Sequence, residues 1–423
     1  MPNRTITVFE HDVLKLDYKG FSQNELDALT IWQEKRDRQY FTRIHKGIKF
    51  NSWVGIIQLP TLTIEILPKT DRTSQSSEQQ VRSILLYMIE CSLGISPDTN
   101  FDSKIETQNA NLLHLLSSLF ISLLEEIIRT QLIKKYRWND ELRSPVLKGK
   151  LLIDKQIKYN FIHIEKFACR FSIYDKNHLL HSIIKTALTH IEELYLPSDI
   201  YDKLLNFKYY FENNSNLYVS DKTFSSIKWD RKNQHYFKAI QIARLLLSGL
   251  SPNFYNGKEN IFSILVDMNE LFESYIAAKI VEASKNTTSR VRVQREHTFW
   301  ERKLIRPDII LEFNGKKVVI DTKWKLPANN YPADSDLKQM YVYNKVIGCS
   351  DAILLYPSLN QREQPSISII KNGKYFDGTI CSMWEVKLVE KKNGTIVPDK
   401  KIGKVLIDSL ISADKMNSKI SKF

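Results

Sequence analysis

The chain has 423 residues, 43% hydrophobic and 26% charged, which is enough apolar material for sizeable cores and too much for a disordered chain. Only 13 Gly and 13 Pro exclude a collagen-like or linker-dominated architecture. Lys and Arg number 61 against 48 Asp and Glu, a net charge of +13, which points to a polyanionic partner, nucleic acid before membrane, unless it reflects a basic background composition.

Residues 1–70 read as β. Ile6 and Val8 alternate with Thr5 and Thr7, and Leu62, Ile64 and Ile66 alternate with Thr61, Thr63 and Glu65, the pattern of half-buried strands. The polar run 71–80, DRTSQSSEQQ, predicts a loop. Val81, Ile84, Leu85 and Met88 then fall at helical spacing, and Leu116 to Ile128 hold that rhythm for over three turns. Pro145 and Gly149 mark a boundary, placed near residue 150. Residues 177–250 read as mostly helical, and 260–285 as a helix starting near Asp267. The period then changes to two, through RVRVQ (290–294), LIRPDIILEF and KKVVIDTKWK, before a helix at 335–347 and strands at 352–356 and 366–370. The Lys-rich stretch 385–423 is expected to fray at its end.

The four cysteines, Cys91, Cys169, Cys349 and Cys381, are far apart and form no C-x-x-C pair, so neither a disulfide framework nor a zinc knuckle is expected. The segment MPNRTITVFEHD carries no apolar h-region, and no stretch approaches the ~20 apolar residues of a membrane span. A cytoplasmic chain with no membrane partner is the expectation. No G-x-x-x-x-G-K-[ST] occurs, so no nucleotide is expected to bind this chain through a P-loop.

The informative segment runs from Arg306-Pro307-Asp308 to Asp321-Thr322-Lys323. Two β-patterned runs, Ile309–Phe313 and Val318–Ile320, flank Asn314-Gly315, the strongest short signal for a two-residue type I′ hairpin. Counting outward from that turn places Phe313 opposite Lys316, Asp308 opposite Asp321 and Arg306 opposite Lys323. Directly opposed residues share a face with Cβ atoms ~5 Å apart. Two carboxylates held that close repel each other unless a cation sits between them, and oxygen ligands suit Mg²⁺, with Mn²⁺ as a substitute. A lysine on the same face can position an attacking water or neutralise the charge that builds during phosphodiester cleavage. The alternative is a surface hairpin of salt-bridged charges.

Pro307-Asp308 followed by Asp321-x-Lys323 resembles the PD-(D/E)xK nuclease superfamily. That resemblance makes Asp308, Asp321 and Lys323 the expected catalytic residues. It adds Glu273 as an expected third metal ligand beside Asp308 and Asp321, with Glu270 as its rival on the same helix. Gln339 and Tyr343 match the Q-x-x-x-Y helix of the RecB-like branch and are expected at the site. Arg290, Arg292 and Arg306 are weaker candidates for DNA contact. His178 and His181 lack a third ligand nearby and read as a helix face. Lys134, Lys135 and Arg137 suit a helix C-terminus and need no function.

The segments ITVFEHD, WVGIIQLPTLTIEILPK, VLKGKLL, LFESYIA, RPDIIL, VVIDTKWK and DLKQMYVYNK, spread over about residues 5–360, resemble the McrC family, the nuclease subunits of McrBC modification-dependent restriction systems. The implied fold is α+β or α/β. It comprises an N-terminal β-rich and helical region (1–150) docking to an AAA+ partner, and a C-terminal PD-(D/E)xK endonuclease domain (151–423) with a mixed central sheet flanked by helices. The implied function is a Mg²⁺-dependent DNA endonuclease, directed to modified cytosine, that stimulates a McrB-like AAA+ GTPase. Double-stranded DNA is the implied substrate, and homodimerisation between complexes remains open. The stretch 385–423 reads as an extension without a family counterpart. Two alternatives stand beside this reading: a catalytically silent regulatory subunit of an AAA+ complex, and a motor-independent DNA nuclease.

Overall fold

The computed structural model describes residues 4–69, 78–95, 111–194, 196–248, 261–285, 287–325, 331–358, 366–392 and 395–420. The chain divides into two compact units, one made of residues 1–115 and 260–423, the other of 116–259. This differs from a division at residue 150, and the physical reason is a single strand. β10 (Phe262–Asp267) pairs antiparallel with β5 (Trp53–Gln58), so a segment from far down the chain completes the N-terminal sheet.

In the first unit that sheet has the order β1-β6-β5-β10, with β1 (Arg4–Phe9) parallel to β6 (Leu62–Leu67). Because β6 is interior, all six of its residues are buried, rather than the half that the alternation predicts. Glu65 on it is met by Arg82, at 2.7 Å, from α2 (Glu78–Ser92). The loop expected at 71–80 falls on residues outside those described, apart from 78–80, which open this helix. A second sheet of β2 (Val13–Lys15), β4 (Gly47–Phe50) and β3 (Phe41–Ile44) sits beside α1 (Gln23–Glu34). That helix interrupts what reads as continuous β. Ser22 and Glu25 form a reciprocal capping box, and Leu26, Leu29 and Trp32 bury against Ile6, Phe41 and Phe50.

The other large sheet of this unit has six strands in the order β11-β14-β15-β16-β18-β17, and it is mixed. β11 (Arg290–Val293), β14 (Ile309–Phe313) and β15 (Lys316–Thr322) are antiparallel, whereas β15, β16 (Asp351–Ser358) and β18 (Ile380–Lys387) are parallel. β17 (Ile367–Lys374) closes the edge antiparallel to β18. Between β11 and β14 runs a hairpin of β12 (His297–Trp300) and β13 (Lys303–Ile305). The expected helix near Asp267 is Met268–Ser284, with Asp267 accepting from the N–H groups of Asn269 and Glu270 as its N-cap. The helix Asp334–Ile347 lays Met340, Tyr343 and Ile347 on Ile310, Val319 and Leu354 of the sheet. The stretch 385–423 is no appendage. It begins inside β18 and ends in a helix, Ile402–Ile420, whose Gly403 approaches the backbone of Lys279 so closely that a Cβ would lie 1.9 Å from that carbonyl oxygen.

The second unit carries a three-stranded sheet, β7 (Lys135–Ser144), β9 (Phe167–Asp175) and β8 (Lys150–Leu151), a short helix Ile153–Asn160, and helices Leu179–Glu192, Ser198–Tyr210 and Phe237–Ser248. His181 is buried with both ring nitrogens used, toward the Lys176 carbonyl (2.7 Å) and the Tyr236 hydroxyl (2.8 Å). Its role is structural, in keeping with the helix-face reading. Among the described residues no helix is long and apolar enough to cross a membrane.

Gly55 is where the N-terminal sheet accepts its distant strand. Its φ is +135°, and a Cβ there would sit 1.9 Å from the Ile264 carbonyl oxygen of β10. Gly55→Ala is expected to lower unfolding stability by ~2–4 kcal/mol, from backbone strain plus overpacking, read as a fall in thermal midpoint. An unchanged midpoint would contradict the close β5–β10 approach.

Candidate active site

The hairpin is built as the Asn-Gly turn dictates. Asn314 and Gly315 both have positive φ, 49° and 76°, and the pairs run from Phe313↔Lys316 to Ile309↔Ile320. Beyond Ile309 the strands part, and a side chain replaces the ladder. Asp308 Oδ2 accepts from the Thr322 backbone N–H (2.7 Å) and from the Thr322 hydroxyl (2.9 Å). Asp308 and Asp321 share the face that carries Ile310 and Val319, beneath the helix Asp334–Ile347. On the next step of that face, Lys323 Nζ lies 2.7 Å from Asp321 Oδ2 and donates to Gln339 Oε1 at 3.1 Å. Gln339 Nε2 donates to the Tyr343 hydroxyl (2.8 Å), which donates to the Arg306 carbonyl (3.4 Å). Catalytic candidates Asp308, Asp321, Lys323, Gln339 and Tyr343 are thus brought together.

Burial dominates the electrostatics. Asp321 has 2% of its side chain exposed. Burial first, and the neighbouring Asp308 second, raise its carboxyl above the usual range, against the pull of Lys323. Asp308 is raised too, by burial, against the Thr322 donors, Lys323 and Arg306. Burial works against the charge on Lys323, yet Asp321, Asp336 and Asp308 outweigh it and hold the ammonium above the ordinary lysine value.

The remaining candidates fall into two groups. Glu273 on the helix Met268–Ser284 is raised by burial and by Asp308, while Gln294 Nε2 donates to its Oε1 at 2.6 Å. Glu273 therefore lies near enough to Asp308 to feel its charge, and Arg306 acts on both Glu273 and Asp308. Arg290 and Arg292 belong to the neighbouring strand. They lie along β11, opposite Glu312 and Ile310, and Arg292 pairs with Glu312 at 3.6 Å.

The family of McrBC 5-methylcytosine restriction system components matches residues 48–357. The chain belongs to that family. It is a component of a restriction system, as the McrC resemblance implied. Among solved structures it is similar to a chain of the half-complex from a tetradecameric assembly of Thermococcus gammatolerans McrB AAA+ hexamers with bound McrC. The TM-score is 0.66 at 19% identity, covering 96% of this chain and 100% of that one. It is also similar to a chain of the Thermococcus gammatolerans McrBC complex, with TM-score 0.50, 19% identity, and 66% and 88% coverage. At that identity the likeness shows a shared fold. No curated protein matches the chain. The family match ends before 385–423, but coverage of 96% is too high to leave that whole stretch without a structural counterpart.

In this family member the sequence reading missed several residues that shape the site. Asp336, buried at the start of the Gln339 helix, lies 3.8 Å from Lys323 Nζ and 2.6 Å from Lys325 Nζ. Its position three residues before Gln339 was the available signal. Trp324 Nε1 donates to Glu10 Oε1 at 2.7 Å, which ties the D-x-K strand to the end of β1. Burial pushes the Glu10 carboxyl up to about 7. No local pattern could pair residues that far apart.

The donor set suits a hard cation. Mg²⁺ needs only one or two carboxylates, with waters and phosphate oxygens completing its shell, and Asp308 with Asp321 supply that. Among the described residues no group of three or more His, Cys, Asp or Glu side chains is gathered closely enough to hold a metal by itself.

A carboxylate raised in the fold binds its proton more tightly there than in the unfolded chain. Its contribution to stability therefore declines as pH rises from the unfolded value of about 3.9 through the folded one. Asp321→Asn removes that penalty. In metal-free buffer at pH 8 the variant is expected to be more stable than wild type by roughly 1–3 kcal/mol, with the difference shrinking toward pH 4. Denaturant unfolding across pH measures it, and a variant less stable at pH 8 would contradict the stated balance of burial over pairing.

Proposed function

We propose that this chain is the endonuclease subunit of a GTP-dependent, modified-cytosine-directed restriction system, with Asp308, Asp321 and Lys323 as its catalytic residues. The observation that carries the reading is the pairing of buried Asp321 with half-buried Asp308, just before β14, with the Lys323 ammonium 2.7 Å from Asp321. Burying two like charges is costly, and a fold selected for stability alone would replace them. Perturbed carboxylates that share a face with a lysine mark a catalytic centre rather than a solvated surface.

Asp308 and Asp321 would hold Mg²⁺, or Mn²⁺ in its place, which when bound supplies a water of lowered pKa and charge to offset the phosphate. Thr322 fixes the Asp308 carboxylate through backbone and hydroxyl, so one oxygen stays aimed without reorganisation. Lys323 keeps its proton. It serves as a charged donor to the phosphate oxygens or to the attacking water, not as a general base. Gln339, oriented by Tyr343, fixes the Lys323 amine in place.

The tetradecameric assembly to which the chain is similar holds McrB AAA+ hexamers with bound McrC, which supports an AAA+ GTPase as this chain's partner. The N-terminal region at 1–150 was the expected docking part; an exposed apolar surface lies beyond that boundary, in the second unit. Ile153, Ile157, Phe161, Ile162 and Ile164 are exposed along one helix and the segment after it. Clustered apolar side chains in water mark a protein contact.

Asp321→Ala and Lys323→Ala are each expected to cut DNA cleavage by at least ~100-fold while leaving stimulation of the partner's GTPase intact. Chelation by EDTA is expected to stop cleavage, and Mg²⁺ or Mn²⁺ to restore it. Loss of both cleavage and GTPase stimulation in a folded variant, or full cleavage in chelator, would overturn the proposal.

A further inference from the structure

We infer that the hairpin β12–β13, His297–Ile305, is a DNA-contacting wedge beside the catalytic strand, its tip meeting bases and its flanks meeting phosphates. The inference rests on the endonuclease reading and adds to it the element that seats the duplex.

The tip is bare. Every residue from Thr298 to Leu304 is exposed, with Phe299 at 51%, Trp300 at 62% and Leu304 at 53%. Large aromatic side chains held in water at the end of a narrow hairpin are an unfavourable arrangement unless something covers them. A bulge between Thr298 and Trp300 leaves Phe299 without a cross-strand partner, and Glu301 turns the chain with a φ of +47°. Bulges of this kind re-aim side chains near working sites.

The base, by contrast, is anchored. Ile305 packs into the cluster formed by Met340, Tyr343 and Leu354, and the next residues are Arg306, Pro307 and Asp308. Tyr343 donates to the Arg306 carbonyl. Pro307 is buried and locks its own φ. Whatever grips the tip is therefore held in a fixed relation to the Asp308 carboxylate.

Charge selects the occupant. Exposed Arg295, Arg302, Lys303 and Arg306 stand along the hairpin against Glu296 and Glu301. His297 at its base is held below the ordinary histidine value by burial and then by Arg295, Arg292 and Lys317, which shows the sign of the local field. A second copy of the same face would bring like charges together, whereas a polyanion is drawn to them. Apolar and aromatic side chains amid arginines at a narrow tip fit the stacked bases of a duplex, through insertion at a base step or stacking on a displaced base.

The test uses the full chain with its AAA+ partner and a duplex carrying 5-iododeoxyuridine, irradiated in Ca²⁺ to hold substrate uncut. Wild type is expected to cross-link through residues 298–304, mapped by mass spectrometry. In Mg²⁺ the Phe299→Ala/Trp300→Ala double variant is expected to cleave ~10–100-fold more slowly, with unchanged thermal midpoint and unchanged GTPase stimulation. Trp300→Tyr, which keeps a stacking ring, should restore most of the loss. Cross-links confined to other segments together with normal cleavage by the double variant would overturn the inference and leave the endonuclease reading standing. A wild-type complex that cuts no DNA would bring down both. Loss of GTPase stimulation or of self-association in the double variant, at unchanged cleavage of DNA by residual complex, would assign the tip to a protein contact and refute the wedge.

Discussion

Two carboxylates, buried Asp321 and half-buried Asp308, repel each other on one face of the sheet, and the surrounding protein has to tolerate that repulsion. Asp308 is quieted by two donors from Thr322, and Asp321 by the ammonium of Lys323. Lys323 is in turn shared among Asp321, Gln339 and the more distant Asp336. The positive members compensate only partly, so both acids remain raised above their ordinary values.

The N-terminal sheet bears on this site through a short physical route. β10 belongs to that sheet, and the residue that ends it, Asp267, caps the helix carrying Glu273 while accepting from Ser52 at 3.0 Å. Trp324, directly after Lys323, donates to Glu10 at the end of β1 and stands edge-on to Phe272 with ring centroids 5.4 Å apart. The strand carrying Asp321 and the helix carrying Glu273 are thus both fastened to the N-terminal sheet. That is why the first 115 residues and the last 164 form one compact unit rather than two.

The hairpin was legible in the sequence because its information is local. Asn314-Gly315 fixes the turn, the turn fixes the register, and side-chain alternation then decides which face each aspartate takes. The helices at Glu78–Ser92 and Leu112–Arg129 were legible for the same reason, through their apolar spacing. Local rules failed where the deciding partner is distant. β6 alternates like a half-buried strand, yet it is interior because β1 and β5 flank it, and its Glu65 is buried against Arg82. The helix Gln23–Glu34 carried a capping box, Ser22 with Glu25, that the β reading of 1–70 passed over. The unit boundary depended on β10 crossing back to β5, and nothing in the composition near residue 150 could reveal it. Within the site, motif positions supplied Gln339 and Tyr343, whereas Asp336, Thr322 and Gln294 act through contacts that only the folded chain creates.

The proposed chemistry requires the two aspartates to share a metal ion. Crystals of the full chain grown with Mn²⁺, and measured at the manganese absorption edge, test this without relying on activity. A single anomalous peak between the Asp308 and Asp321 carboxylates, absent from Asp308→Asn/Asp321→Asn crystals, is the predicted result. Clear density for both side chains with no anomalous signal between them at saturating Mn²⁺, or a peak bound by other residues, would contradict it.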